Sequence, residues 1–327
     1  MGELPDIEDV RAAARRLRDD ALVTPLLRSD QLDLIAGRQV WVKAECLQYT
    51  GSFKYRGARN RILCLTANEK ANGVVAYSSG NHAQGVALAA KRANLPCCIV
   101  MPADTPQSKI NGVLARDGEV VFYDRLHQDR AQIAADIAAD RNAVLIPPYD
   151  DPFVIAGQGT VGLEIVEQAK QLGVELQALI PNTGGGGLTA GIALALEAER
   201  PDCTLYSCEP EGFDDHKRSL ISGKRERNLT LDGSICDALM AQQPGQMTFA
   251  INQSRLRVGF SVSESQVRDA MRFAYAQLQL VVEPGGAASL AAVLAKKVPG
   301  SAPICIVLTG GNVDPILFAE IINADAG

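Results

Sequence analysis

The chain has 327 residues, 38 acidic against 32 basic for a net charge of −6, with 47% hydrophobic, 21% charged and 5% aromatic residues. That length exceeds one small core and suits two α/β domains, and the aliphatic composition excludes disorder. The acidic balance excludes a nucleic-acid footprint, which needs a basic face to displace counterions, and favours a small-molecule partner.

Charges run through the first 20 residues, Asp9, Arg11, Arg15, Arg16 and Asp19 among them, so neither a signal peptide nor a membrane anchor is expected. No later apolar run approaches the roughly 18 residues of a membrane span, and Asp6 stands where a myristoylation signal needs Ser or Thr. A cytoplasmic chain is expected. The eight cysteines form no C-x-x-C pair and several sit in apolar runs, which points to buried reduced thiols. His82, His127 and His216 are too scattered for a zinc site by spacing.

An amphipathic helix is expected to start near Asp6, whose carboxylate can cap free amides. Strand-like VWVKAE then leads into Thr50–Gly57, and GVVAYS, PCCIVMP and EVVFY alternate with helical stretches as far as Asp140. The turn-rich IPPYDDP at 146–152 marks a crossing between domains. GTVGLEIVEQAKQLG, ELQALIPN, LTAGIALALEAERP and TLYSCEP resume the rhythm, which closes with APICIVLTGG and a last helix. Residues 222–260 have weak periodicity and read as loop and irregular structure. The pattern is that of parallel strands joined by crossover helices.

Three elements fall at strand ends or helix starts, where open α/β sheets place ligands. In GSFKYRG, Lys54 sits among small residues at a helix start, where the helix N-terminus and Arg56 would lower its pKa; alone, such a lysine is more often merely solvated. Ser78-Ser79-Gly80-Asn81-His82 follows a strand and offers amides and hydroxyls to a carboxylate or phosphate, or simply caps a helix. Thr183 and Gly184–Gly187 suit a backbone wrapped around a phosphate. Gly185, Gly187 and Ala190 also fit a dinucleotide G-x-G-x-x-A with Glu209 beyond, so an NAD-dependent oxidoreductase stays open. That loop usually opens its domain, and here Lys54 and Ser79 would go unexplained.

Together, TPLLRSDQL, ECLQYTGSFKYRGARN, YSSGNHAQGVALAA, VIAGQGTVGLEI, NTGGGGLTAGIA, CEPEGFDD, VVEPGGAASLAA and LTGGNVD resemble, in order and over nearly the whole chain, the fold type II pyridoxal-phosphate enzymes, and among them the serine/threonine dehydratases and serine racemases. The resemblance implies a tryptophan synthase β-like α/β fold of two domains, each with a mostly parallel helix-covered sheet. The large cofactor-binding domain would take residues 1–68 and 154–327, the small one 69–153. A homodimer is implied. Lys54 would carry pyridoxal 5'-phosphate as a Schiff base, with Phe53 by the ring, Asn81 on the ring hydroxyl oxygen, Gly184, Gly185, Gly186, Gly187 and Leu188 around the phosphate, and Thr309 facing the ring nitrogen. Ser52, Ser78, Ser79, Asn81 and His82 would surround the substrate carboxylate.

The activity implied is that of a carbon–oxygen lyase: freed Lys54 takes the Cα proton, the β-hydroxyl leaves, and the product hydrolyses to a 2-keto acid and ammonia. Threonine, serine or 3-hydroxyaspartate would be the substrate. Ser79, where many threonine dehydratases have alanine, permits a second acid or base on the opposite face and hence a racemase with side elimination, or merely binds carboxylate. A pathway-specific dehydratase, as in hydroxyectoine use, and a non-catalytic ligand-binding relative are further alternatives. Glu209, the Phe213 carbonyl and Asp215 resemble the family's divalent-cation site, an all-oxygen set suited to Mg²⁺, Mn²⁺ or Ca²⁺; a solvated acidic turn is the alternative. Relatives commonly read Ala-Asp-Gly where this chain has Cys236-Asp237-Ala238, which puts a methyl group by the cofactor. The chain ends soon after LTGGNVD, so the regulatory domain of biosynthetic threonine dehydratases is not expected.

Overall fold

The computed structural model describes residues 3–230 and 232–324. Its strands are β1 (Leu26–Arg28), β2 (Val40–Ala44), β3 (Val74–Tyr77), β4 (Cys97–Pro102), β5 (Glu119–Tyr123), β6 (Val144–Leu145), β7 (Ala178–Ile180), β8 (Thr204–Pro210), β9 (Leu256–Val262) and β10 (Ile304–Leu308). They form a six-stranded sheet of order β1-β2-β10-β7-β8-β9 and a four-stranded sheet of order β5-β4-β3-β6. Only β1 runs antiparallel to its neighbour.

Uninterrupted apolar runs such as ICIVL and CCIVMP make strands buried on both faces, as parallel sheets covered by helices require. Alternate residues feed separate cores: Ile304, Ile306 and Leu308 of β10 pack into one layer and Cys305 and Val307 into the other. In the four-stranded sheet Ile99 and Met101 pack on one side and Cys98 and Val100 on the opposite side. All eight cysteines are unpaired thiols, every one buried except half-buried Cys64. Among the described residues no helix is long and apolar enough to cross a membrane.

The first helix, Ile7–Leu17, is capped as expected, with Asp6 accepting from the amides of Glu8 and Asp9. The stretch 222–260 corrects the sequence expectation: it contains a helix, Gln246–Arg255, and β9. The helix has no side-chain cap of its own. Its cap is Asp150, whose carboxylate accepts from the amides of Gln246, Met247 and Thr248 at 2.8, 2.9 and 3.2 Å. A cap supplied from so far along the chain leaves no local signature. β9, on the sheet edge, also loses its alternation through a register shift opposite Tyr206 and Cys208.

The helix Lys54–Leu63 is fixed from two sides. Gly57 packs on Gly157 of the helix Pro152–Gln171 so closely that a Cβ on Gly157 would lie 2.7 Å from the Gly57 Cα. Arg56, buried, donates to Glu45 at 2.8 and 2.7 Å and to Glu164 at 2.6 and 2.9 Å, and Lys43 also reaches Glu164 at 2.7 Å.

Candidate active site

A cavity of about 660 Å³ opens where the carboxyl ends of β3, β7 and β10 face one another. Its wall includes Phe53, Lys54, Ser78, Ser79, Asn81, His82, Gly184, Gly185, Gly186, Gly187, Leu188 and Thr309, so the structure brings together nearly all the residues expected there. Ser52 is the exception. It is fully buried in a bridge to Gly310, its hydroxyl has no hydrogen-bond partner, and it is not part of the cavity wall.

Lys54 opens its helix directly after Thr50 and Gly51, whose φ angles of 60° and 73° turn the chain sharply. Its Nζ donates to the Pro148 carbonyl at 2.6 Å. Desolvation pulls the amine down to about 8, partly offset by the Glu283 carboxylate. Arg56, expected to assist, does not act on this amine: its guanidinium is consumed by Glu45 and Glu164.

The Ser78–His82 loop enters the helix Asn81–Arg92 with no side-chain cap, so the first amides are available to an anion. The Ser78 hydroxyl accepts from the Gly80 amide at 3.1 Å, and Ser79 lines the cavity. His82 has its Nε2 on the Ile146 carbonyl at 2.9 Å, and burial lowers its pKa to about 3, so it is a neutral ring in the wall. Asn81 donates to Glu283 and accepts from Asn312 at 2.7 Å.

The glycines enter the helix Gly187–Glu199 through Gly186, at φ +93° and again without a side-chain cap. A Cβ on Gly185 would lie 2.3 Å from the Tyr149 ring, and one on Gly186 would lie 2.5 Å from His216 Nε2. Thr248 Oγ1 donates to the Gly185 carbonyl at 2.7 Å, which ties the cradle to the helix Gln246–Arg255. The Thr309 hydroxyl accepts from Asn182 Nδ2 at 3.1 Å. Ala238 lines the cavity beside Asp237 and Leu239, in the short turn Asp237–Leu239.

A family description for pyridoxal-phosphate dependent enzymes matches residues 17–310. The chain belongs to that family. The enzyme is 41% identical over 323 residues to an L-threo-3-hydroxyaspartate ammonia-lyase of Pseudomonas sp, covering 98% of this chain and 99% of that one. It is 38% identical to a serine racemase of Arabidopsis thaliana, covering 94% and 93% of the two chains. The solved structure of maize serine racemase superposes with a TM-score of 0.91 at 35% identity, covering 97% of each chain. The fold is thereby that of the type II enzymes, and pyridoxal phosphate is the cofactor. The cavity's chemistry fits it: a half-buried, desolvated primary amine of lowered pKa shares the cavity with an uncapped glycine cradle in which added methyl groups would collide. The dinucleotide reading falls also on geometry, because Glu209 is fully buried and accepts from the amides of His216 and Lys217 at 2.8 and 2.9 Å, with no reach to a ribose.

Several functional groups escaped sequence reading. Glu283 and Asn312 stand in VVEPGGAASLAA and LTGGNVD, the motifs that carried the resemblance, yet only the contacts with Asn81 give them a role. His216 joins Glu209 and Asp215 in the candidate cation site, their ligand atoms all within 4.8 Å of one another. Asp215 Oδ2 and His216 Nδ1 are buried without hydrogen-bond partners, as a cation's ligands would be. Burial pushes both carboxyls up, Asp215 to about 7, with repulsion by Asp215 added at Glu209 and by Asp214 at Asp215. Phe213 is buried on the same turn.

Proposed function

We propose that the enzyme is an ammonia-lyase that dehydrates a small β-hydroxy amino acid, serine, threonine or 3-hydroxyaspartate, to a 2-keto acid and ammonia. The observation that carries this is the Lys54 amine, half-buried, lowered to about 8 and set in one cavity with two uncapped helix starts, one for a phosphate and one for a carboxylate. Bound pyridoxal phosphate supplies the electron sink that makes the substrate Cα proton removable. In this reading Lys54 holds the cofactor, the amides of Gly184–Gly187 hold its phosphate beside Leu188, Phe53 flanks the ring, and Asn81 and Thr309 meet its polar edges. The Ser78–Asn81 loop holds the substrate carboxylate, His82 shapes its floor as a neutral ring, and Ser52 acts from behind the wall. Lys54, once free, takes the Cα proton at its Nζ. The Thr309 hydroxyl, unlike a carboxylate, would not hold a proton on the cofactor's ring nitrogen.

A racemase with side elimination is the second reading, favoured by the Ser79 hydroxyl in the cavity wall and by the serine racemases among the relatives. Glu209, Asp215, His216 and the Phe213 carbonyl would hold a divalent cation with a structural role. We further propose residues 69–153 as a small domain against 1–68 and 154–327, a homodimer, and a reducing cytoplasm as the setting for eight free thiols. The test is a panel of L- and D-serine, threonine and threo- and erythro-3-hydroxyaspartate, assayed for keto acid, ammonia and enantiomer with and without Mg²⁺. Keto acid from at least one member, lost in Lys54→Ala together with the lysine-bound cofactor's visible absorption, is the expected result; full activity in Lys54→Ala would refute it. Undiminished L-to-D conversion in Ser79→Ala would remove the second reading.

A further inference from the structure

Behind the glycine cradle lies a set of polar groups that hydrogen bonding leaves unmet. His216 is fully buried among them. Its Nδ1 stands 4.0 Å from Glu209 Oε1 and 3.9 Å from Asp215 Oδ2, both too far for a hydrogen bond. Neither Nδ1 nor that Asp215 oxygen has another partner. The other two carboxylate contacts are taken: Asn228 donates to Asp215 Oδ1 at 2.7 Å, and the Lys217 amide donates to Glu209 Oε2 at 2.9 Å.

The opposite edge of the ring backs the cradle. His216 Nε2 would lie 2.5 Å from a Cβ on Gly186, and Asn252 Nδ2 is 3.3 Å from Nε2 and 3.4 Å from the Gly186 carbonyl oxygen. Gly186, at φ +93°, opens the helix Gly187–Glu199 and so aims its first amides. The backbone joins the same two places. The Cys208 carbonyl, one residue before Glu209, accepts from the Thr183 amide, one residue before Gly184, at 2.8 Å.

Packing accounts for the Nε2 edge alone. It leaves unexplained a buried Nδ1 that faces two carboxylate oxygens with no bond to either, because polar groups buried unpaired are costly. Once Nδ1 gives a cation its lone pair, the ring's proton belongs on Nε2. Asn252 Oδ1 is itself buried without a partner, and a half-turn of the carboxamide offers it to that Nε2–H. The positive end of the N–H bond then faces the cradle, with the ion's charge behind it, and both favour an anionic phosphate there.

We propose that His216 couples the cation site to the cofactor cradle: as a nitrogen ligand of the cation it turns its N–H toward Gly186, so that cation and cofactor each tighten the binding of the other. This rests on the cation reading above and extends it from a structural role to a regulatory one.

Holoenzyme is dialysed to equilibrium against graded pyridoxal phosphate with Mn²⁺ or with a chelator, and retained cofactor is read from its lysine-bound absorption. The cofactor's Kd should be about tenfold lower with Mn²⁺, inside the usual range for coupled sites, and Mn²⁺ affinity should change by the same factor with and without cofactor. Asn252→Ala keeps every ligand of the cation and should bring the ratio of the two Kd values close to one. His216→Leu should do the same. A loss of cofactor affinity that is equal with and without Mn²⁺, leaving the ratio as in the wild type, would mark both side chains as packing and overturn the proposal. If wild type binds Mn²⁺ but holds the cofactor equally well without it, the cation reading stands and this one fails. If wild type binds no Mn²⁺, both fail.

Discussion

Replacing Gly185 by alanine should weaken cofactor binding far more than the same change at its neighbour Gly184. A Cβ on Gly185 would meet three atoms of the Tyr149 ring at 2.3 to 2.4 Å, more than an ångström inside ordinary carbon–carbon contact. Either the ring moves or the cradle does. The cradle is tied through the Gly185 carbonyl to Thr248 Oγ1 at 2.7 Å and to the Gly245 amide at 3.2 Å, so displacing it disturbs the amides on both sides. Overpacking of this kind costs about 1–3 kcal/mol, which in binding is roughly 5- to 150-fold. At Gly184 the nearest atoms, Leu239 Cα and the Ala238 carbonyl oxygen, would be 3.2 and 3.3 Å away, and the effect should stay within a few-fold. Dialysis of apoprotein against pyridoxal phosphate measures both constants. Tyr149→Ala should restore most of the affinity of Gly185→Ala, since it removes the obstructing ring. Wild-type affinity in Gly185→Ala, or a larger loss at Gly184, would refute the cradle as described.

Arg56→Met should lower the unfolding free energy in urea by about 3–5 kcal/mol, because it strands the buried Glu45 carboxylate; Arg56→Met/Glu45→Met should recover most of this. Asp215 and Glu209 have carboxyls raised above their unfolded values, so without a cation their contribution to stability declines as pH rises from about 4 through about 7. Mg²⁺ or Mn²⁺ should therefore stabilise the fold more at pH ~8 than at pH ~6, by up to about 2.7 kcal/mol at a hundredfold excess over Kd, read as a rise in melting temperature that Asp215→Asn should abolish. Capture of pyridoxal phosphate by apoprotein should speed up as pH rises through about 8, where the Lys54 amine loses its proton, and a midpoint near the ordinary 10.5 would contradict the buried placement. Glu283→Gln, which removes the one charge that raises that amine, should shift the midpoint below 8 in the same assay.

The parts legible in the sequence were those with a local cause. Runs such as ICIVL and CCIVMP announce buried strands, Asp6 announces its helix, and the four glycines announce a bound phosphate. What stayed hidden depends on distant partners. The helix Gln246–Arg255 takes its cap from Asp150, Arg56 joins Glu164 rather than Lys54, and His216 completes a site whose carboxylates were read from CEPEGFDD.

The same contrast divides the site by task. Lys54, Gly184–Leu188 and Thr309, proposed to hold the cofactor, follow β2, β7 and β10 of the six-stranded sheet. Ser78–His82, proposed to receive the substrate carboxylate, follow β3 of the four-stranded one. The seam between the two sets is polar: Asn81 on Glu283 and Asn312, and Lys109 on Asp237. A substitution at Ser79 touches none of these and leaves the cradle and its Tyr149 backing in place. The cofactor can thus be held constant while the carboxylate-bearing wall varies. That separation gives a physical reason why relatives with this fold include both lyases and racemases with different named substrates.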